Sequence, residues 1–193
     1  IFIMKTAIII HGMPSKESYF DITKDSQSNS HFIPWIQNQL VVNNILAQTP
    51  EMPTPYLPDY ESWKKEFERF DINENTILVG HSCGAGFIIR YLSENNVKVN
   101  KVALVAPWIN VNYEEDINFF DFEIDKNLLE KVKYIKIFSS KDDTEDIINS
   151  IKKIKEEIIN IESKIVEFEN RGHFTFGDMK TREFPELLEY LIS

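Results

Sequence analysis

Six short apolar, β-branched runs recur along the 193-residue chain: TAIII (6–10), NILAQ (44–48), TILVG (76–80), KVALVA (101–106), YIKIFS (134–139) and KIVEFE (164–169). Each is bounded by Gly, Pro or polar residues and reads as a strand. Several lack polar alternation, which suits strands covered on both faces of a parallel sheet. Helical patterns fall between them: HFIPWIQNQLV after the first, YESWKKEFERF after the second, CGAGFIIRYLSE after the third and TEDIINSIKKIKEEI after the fifth. In the last of these, Ile147, Ile151, Ile154 and Ile158 mark one apolar face, and FPELLEYLI, with Pro185 near its start, closes the chain. Strand–helix alternation of this kind predicts right-handed crossovers and a three-layer α/β/α architecture around a mainly parallel six-stranded sheet. Ligands then bind beyond the carboxyl ends of the strands.

Two stretches break the rhythm, GMPSKESYFDITKDSQSNS (12–30) and PWINVNYEEDINFFDFEIDKNLLE (107–130). Both follow strands and are expected as loops over the functional edge. No repeat or linker divides the chain, and its length suits a single domain spanning 1–193. A net charge of −10 opposes binding to phosphate backbones and anionic lipid heads, so neither nucleic acid nor a membrane is an expected partner. One cysteine cannot form an internal disulfide, and the expected setting is the reducing cytoplasm. The opening IFIMKTAIIIHGMP has too short an apolar run after Lys5, and no small-residue cleavage site, to be expected as a signal peptide.

The chemistry is written at the strand ends. GHSCG (80–84) matches G-x-S-x-G between an apolar strand and a helical pattern, the context that this motif requires. The turn makes Ser82 the candidate nucleophile and leaves Cys83 to contribute its backbone N–H to an oxyanion site at the helix start. Serine needs a base, and the base needs a carboxylate to orient it. Of the four histidines, His81 lies inside the turn, His11 ends the first strand and His31 lies by the first helix. His173, in RGHFTFG between the last strand and the last helix, is therefore the candidate base. FSSKDDTEDI after the fifth strand offers Asp142 and Asp143 as the acid, and either could instead cap the following helix. In HGMP (11–14), Pro14 has no N–H, so Met13 N–H is the natural second oxyanion donor. Trp108, Tyr113, Phe119, Phe120 and Phe174 are aromatic candidates to line a small apolar pocket; Trp108, Phe119 and Phe174 are the substrate-contacting set. The acidic run Glu114–Asp116 would disfavour anionic substrates, leaving small, uncharged acyl groups as the expectation.

These residues also resemble the α/β-hydrolase superfamily, and within it the small serine hydrolases typified by retinoblastoma-binding protein 9 and its bacterial relatives. The resemblance runs nearly end to end through AIIIHG, SHFIPWIQNQL, PEMPTP before YESWKKEF, LVGHSCGAGFIIRYL, SSKDD and GHF. It implies a compact sheet with little or no cap domain and metal-independent serine hydrolase activity, tested mostly on esters. It also implies that the acid is the second aspartate, Asp143. Thr144 stands where the family commonly has proline, TEDI replaces a Pro-x-x-Pro run, and the segment between Gly12 and His31 is longer than in many relatives.

The expected function is cleavage of small carboxylic esters through a Ser82–His173–Asp143 triad and an acyl-enzyme, with no cofactor and no metal. The alternative is a hydrolase-fold protein-binding module with weak or no turnover, for which the sequence names no partner.

Overall fold

In a computed structural model, the chain is described over residues 5–109 and 118–193. Six strands form one sheet: β1 Thr6–Ile10, β2 Leu46–Gln48, β3 Thr76–His81, β4 Val99–Val105, β5 Val132–Ser140 and β6 Ile165–Phe168. Their order is β2-β1-β3-β4-β5-β6 and every neighbouring pair is parallel. Each apolar run identified in the sequence contributes one strand, shifted by up to a few residues at its ends. β3 is buried along its whole length, as a central strand covered on both faces must be.

The order reverses at β1: the chain leaves β1 in one direction to β2 and then crosses back to β3 on the other side. Such a switch point opens a crevice beyond the strand ends. Helices cover both faces. α2 (Ile33–Val42) and α7 (Pro185–Ile192) touch each other on one side. On the other, α3 (Tyr60–Phe67) packs Trp63 and Phe67 against Phe87 of α4 (Cys83–Glu94), at ring separations of 5.7 and 5.3 Å. α5 (Glu145–Glu157) buries Ile147, Ile151 and Ile154 as its spacing predicts. Pro185 stands at the first turn of α7, where its missing N–H costs nothing.

The 12–30 stretch differs from the expected plain loop. It contains α1 (Lys16–Phe20), capped where Ser15 accepts the Ser18 N–H, and a 3-10 turn at Gln27–Asn29. α1 buries no residue, so it lacks the apolar stripe by which longer helices are recognised. A further helix, α6 (Phe176–Met179), is a single turn held by a Thr175–Asp178 capping box. Tyr113 and the acidic run Glu114–Asp116 lie outside the described residues. Among the described residues no helix is long and apolar enough to cross a membrane.

Candidate active site

The turn from β3 to α4 carries Ser82 at φ 55°, ψ −120°, a left-side conformation that a side chain normally avoids. Packing on both sides enforces it. A Cβ on Gly80 would lie 2.5 Å from Ala85 Cα, and one on Gly84 would lie 2.4 Å from both the Ile10 and His11 carbonyl oxygens. Only bare backbone lets α4 start this close to β3 and β1. Ser82 N–H donates to Val105 O at 2.9 Å, and Ser82 C=O accepts the N–H groups of Ala85, Gly86 and Trp108 at 3.0–3.1 Å. Cys83 N–H heads α4, where no carbonyl of the helix precedes it to accept the bond. The Cys83 thiol is fully buried, and burial pushes its pKa up, so it stays protonated and inert.

The acid and base candidates meet across two loops. Asp143, in the turn after β5, has a fully buried side chain, and its two oxygens lie 3.0 and 3.1 Å from His173 Nδ1. Asp143 Oδ1 also accepts Thr144 N–H at 2.7 Å. Asp142 points elsewhere: its Oδ1 accepts the Ser140 hydroxyl at 2.5 Å and Gly172 N–H at 2.9 Å. These bonds, the hydroxyl first, hold its carboxyl below the usual carboxylate range. The residue pattern alone allows either aspartate and the resemblance implies Asp143; the geometry puts Asp143 on the imidazole and Asp142 on the Ser140 hydroxyl and Gly172 N–H. Ser82 and His173 line the same two cavities. Among the described residues no hydrogen bond joins the serine hydroxyl to the ring, a contact that often tightens only when substrate is present.

Further groups hold His173, and residue reading had assigned them no part in doing so. His81, 2 % exposed, reaches from inside the turn so that its Nε2 lies 2.8 Å from the His173 carbonyl oxygen, the ring donating. Burial, with His173 and His31 nearby, keeps its pKa far below the ordinary histidine value, so His81 is neutral. Asp178 accepts His173 N–H at 3.1 Å while completing the α6 capping box. His31, at φ 59°, accepts Phe176 N–H at 3.3 Å, with its ring 5.5 Å from that of His81. The T-x-x-D spacing of Thr175 and Asp178 was a readable signal for the cap; nothing local announces the roles of His81 or His31.

A cleft of about 720 Å³ runs from Gly12, Met13 and Ser82 to polar side chains of the 18–31 segment and the α6 region, including Lys24, Asp25, Thr175 and Arg182. A smaller cavity of about 160 Å³ also reaches Ser82, walled by Met13, Trp108, Thr144, Asp146, Ile147 and His173. Trp108 and Met13 thus stand beside Ser82. Phe119 and Phe174 do not, which corrects the pocket expected from the sequence. Phe119 is 1 % exposed and packs edge-on against Trp63 at 4.9 Å; Phe174 is fully buried and stacks on Phe184 at 5.4 Å. Both rings went to the core because large apolar side chains gain more from full burial than from lining a wet cleft. Phe120 backs Trp108 at 4.9 Å. Among the described residues no group of three or more His, Cys, Asp or Glu side chains is arranged to hold a metal ion.

The family model for serine hydrolases matches residues 23–192. YdeN of Bacillus subtilis (strain 168) is 26% identical over 180 residues, covering 88% of this chain and 86% of that protein. The crystal structure of the B. subtilis ydeN gene product superposes with a TM-score of 0.79 at 25% identity, covering 97% of this chain and 96% of the other. FphF, a fluorophosphonate-binding serine hydrolase of Staphylococcus aureus, has a TM-score of 0.57 at 12% identity, covering 100% of this chain and 85% of its own. MGS-M1, an α/β-hydrolase from a deep-sea metagenome library, has a TM-score of 0.51 at 16% identity, over 88% and 70% of the two chains. The last two likenesses speak to fold alone, and that fold is the α/β-hydrolase fold, with no large cap among the described residues.

Proposed function

Because this chain belongs to the serine hydrolase family, we propose that it hydrolyses small carboxylic esters through an acyl-enzyme on Ser82. One observation carries the reading: the strained Ser82 shares both of its cavities with an imidazole whose other nitrogen is held by a buried carboxylate.

Asp143 accepts Nδ1–H and so leaves Nε2 unprotonated, ready to take the Ser82 proton as Oγ attacks the ester carbonyl. The developing imidazolium is stabilised by the same carboxylate. The N–H groups of Met13 and Cys83 receive the oxyanion, and collapse of the tetrahedral species expels the alcohol with the proton returned from His173. Water then repeats the sequence on the acyl-enzyme and frees the acid. The cavity bounded by Met13, Trp108 and Ile147 suits a small acyl group, while the larger polar cleft suits the departing alcohol. No step draws on a metal or cofactor.

A fluorophosphonate probe tests the reading, with p-nitrophenyl acetate and p-nitrophenyl octanoate as substrates. Wild type is expected to label and to prefer the acetate, and Ser82→Ala to lose labelling and at least about 10⁴-fold in turnover. A folded wild type that neither labels nor turns over either ester would sink it.

A further inference from the structure

His11 directly follows β1 and is 1 % exposed, its ring edge-on to Trp63 at 5.7 Å. It lines neither cavity beside Ser82, yet both of its ring nitrogens are committed. Nε2 accepts Met52 N–H at 2.9 Å and therefore carries no proton; Nδ1 then holds the ring proton and donates it to the Gly12 carbonyl at 2.8 Å. Burial pushes the pKa of this imidazole down, against opposing pulls from the Gly12 carbonyl and Glu51, and so favours the neutral ring that these two bonds require.

Gly12 C=O and Met13 N–H belong to one peptide group. A planar trans peptide sends its carbonyl and its N–H to opposite sides. Tying the Gly12 oxygen back toward the buried ring therefore turns Met13 N–H the other way, and Met13 and Ser82 line both cavities together. We infer that His11 is a positioning residue for the oxyanion site: its Nδ1–H holds the Gly12 carbonyl and thereby aims Met13 N–H at the substrate's carbonyl oxygen. This rests on the acyl-transfer reading of Ser82. The second bond of the ring, to Met52, anchors a different segment, which Trp63 also holds through its Nε1–H to Pro53 O at 2.8 Å.

The two bonds can be cut separately. Asparagine places an amide N–H near the Nδ1 position, so His11→Asn keeps the Gly12 tether and loses the acceptor for Met52. Glutamine places its amide near the Nε2 position, so His11→Gln does the reverse. In ester hydrolysis, His11→Gln is expected to lower kcat about 10- to 100-fold, short of the roughly 10²–10³ for deleting an oxyanion donor. KM should stay within about twofold, and a trifluoromethyl ketone, which forms a tetrahedral oxyanion on the serine, should weaken in parallel with kcat. His11→Asn should recover most of kcat. The opposite order, or a His11→Gln enzyme with unchanged kcat while the wild type takes the fluorophosphonate label, overturns the inference alone. A wild type that takes no fluorophosphonate overturns the reading of Ser82 and the inference with it. Should neither variant fold, ¹⁵N NMR of the wild-type ring decides: an Nδ1–H tautomer with an exchange-protected proton supports the tether, and an Nε2–H tautomer refutes it.

Discussion

The Ser82 turn and the His173 loop face the same cleft but are held by different forces. The turn is held by contact: Gly80 and Gly84 bring backbone against backbone at distances that no Cβ survives, and Ser82 is forced to positive φ. The His173 loop is held by four polar side chains from three places in the chain. Asp142 accepts Gly172 N–H, Ser140 accepts Arg171 N–H, Asp178 accepts His173 N–H, and His81 donates to the His173 carbonyl. Contact of the first kind cannot be relaxed gradually, whereas a shared network can lose one member and keep the rest. One side of the site should therefore fail all at once and the other in steps.

Gly84→Ala should show the largest effect. Its methyl would meet the backbone carbonyls of Ile10 and His11 at the end of β1, neither of which can swing away as a side chain would. Loss of soluble folded protein, or a stability loss above about 3 kcal/mol in denaturant titration, is expected. A well-folded, active Gly84→Ala would break the contrast. Next comes Asp143→Asn, which puts an amide against Nδ1 and favours the wrong tautomer; kcat should fall by about 10⁴ with the fold intact by circular dichroism. An effect no larger than that of Asp142→Asn would return the two aspartates to a tie.

Asp142→Asn should cost at most about tenfold in kcat, because it loosens the backbone behind His173 without touching the ring. Its pH signature separates it further. Hydrogen bonds from the Ser140 hydroxyl and Gly172 N–H lower the folded carboxyl, so the ionised form is favoured by folding. That contribution is complete above the ordinary aspartate value of about 3.9 and is lost as pH falls through the lower folded value. Amide-exchange protection at Gly172 should fall with acid in the wild type across that window, and Asp142→Asn should lack this step. Cys83→Ala is expected to be the mildest change, with activity within about twofold, since the proposed chemistry uses only its amide. Near-total loss would show that the buried thiol matters to the turn.

The strands were legible because each is a short β-branched run closed by breakers, and Ser82 because a strand, G-x-S-x-G and a helix pattern form a local signature. α1 was not legible, since five residues with no buried face leave no period to detect. Phe119 and Phe174 were misplaced for a related reason: an aromatic residue after a strand looks the same whether it turns to the cleft or to the core. The bonds of His11 to Met52 and of His81 to His173 were hidden because those partners lie far along the chain.

By itself the sequence determined the order of strands and helices, the parallel α/β architecture and the place of the serine turn, all of which depend on residues within a dozen positions of one another. Tertiary structure decided what residue patterns left open: that Asp143 and not Asp142 lies against the His173 ring, that Phe119 and Phe174 pack in the core, and that His81 reaches the His173 carbonyl. Those choices depend on hydrogen-bond directions and on burial, and both come into being only when β1, β5 and the loops beyond them are brought to one edge of the sheet.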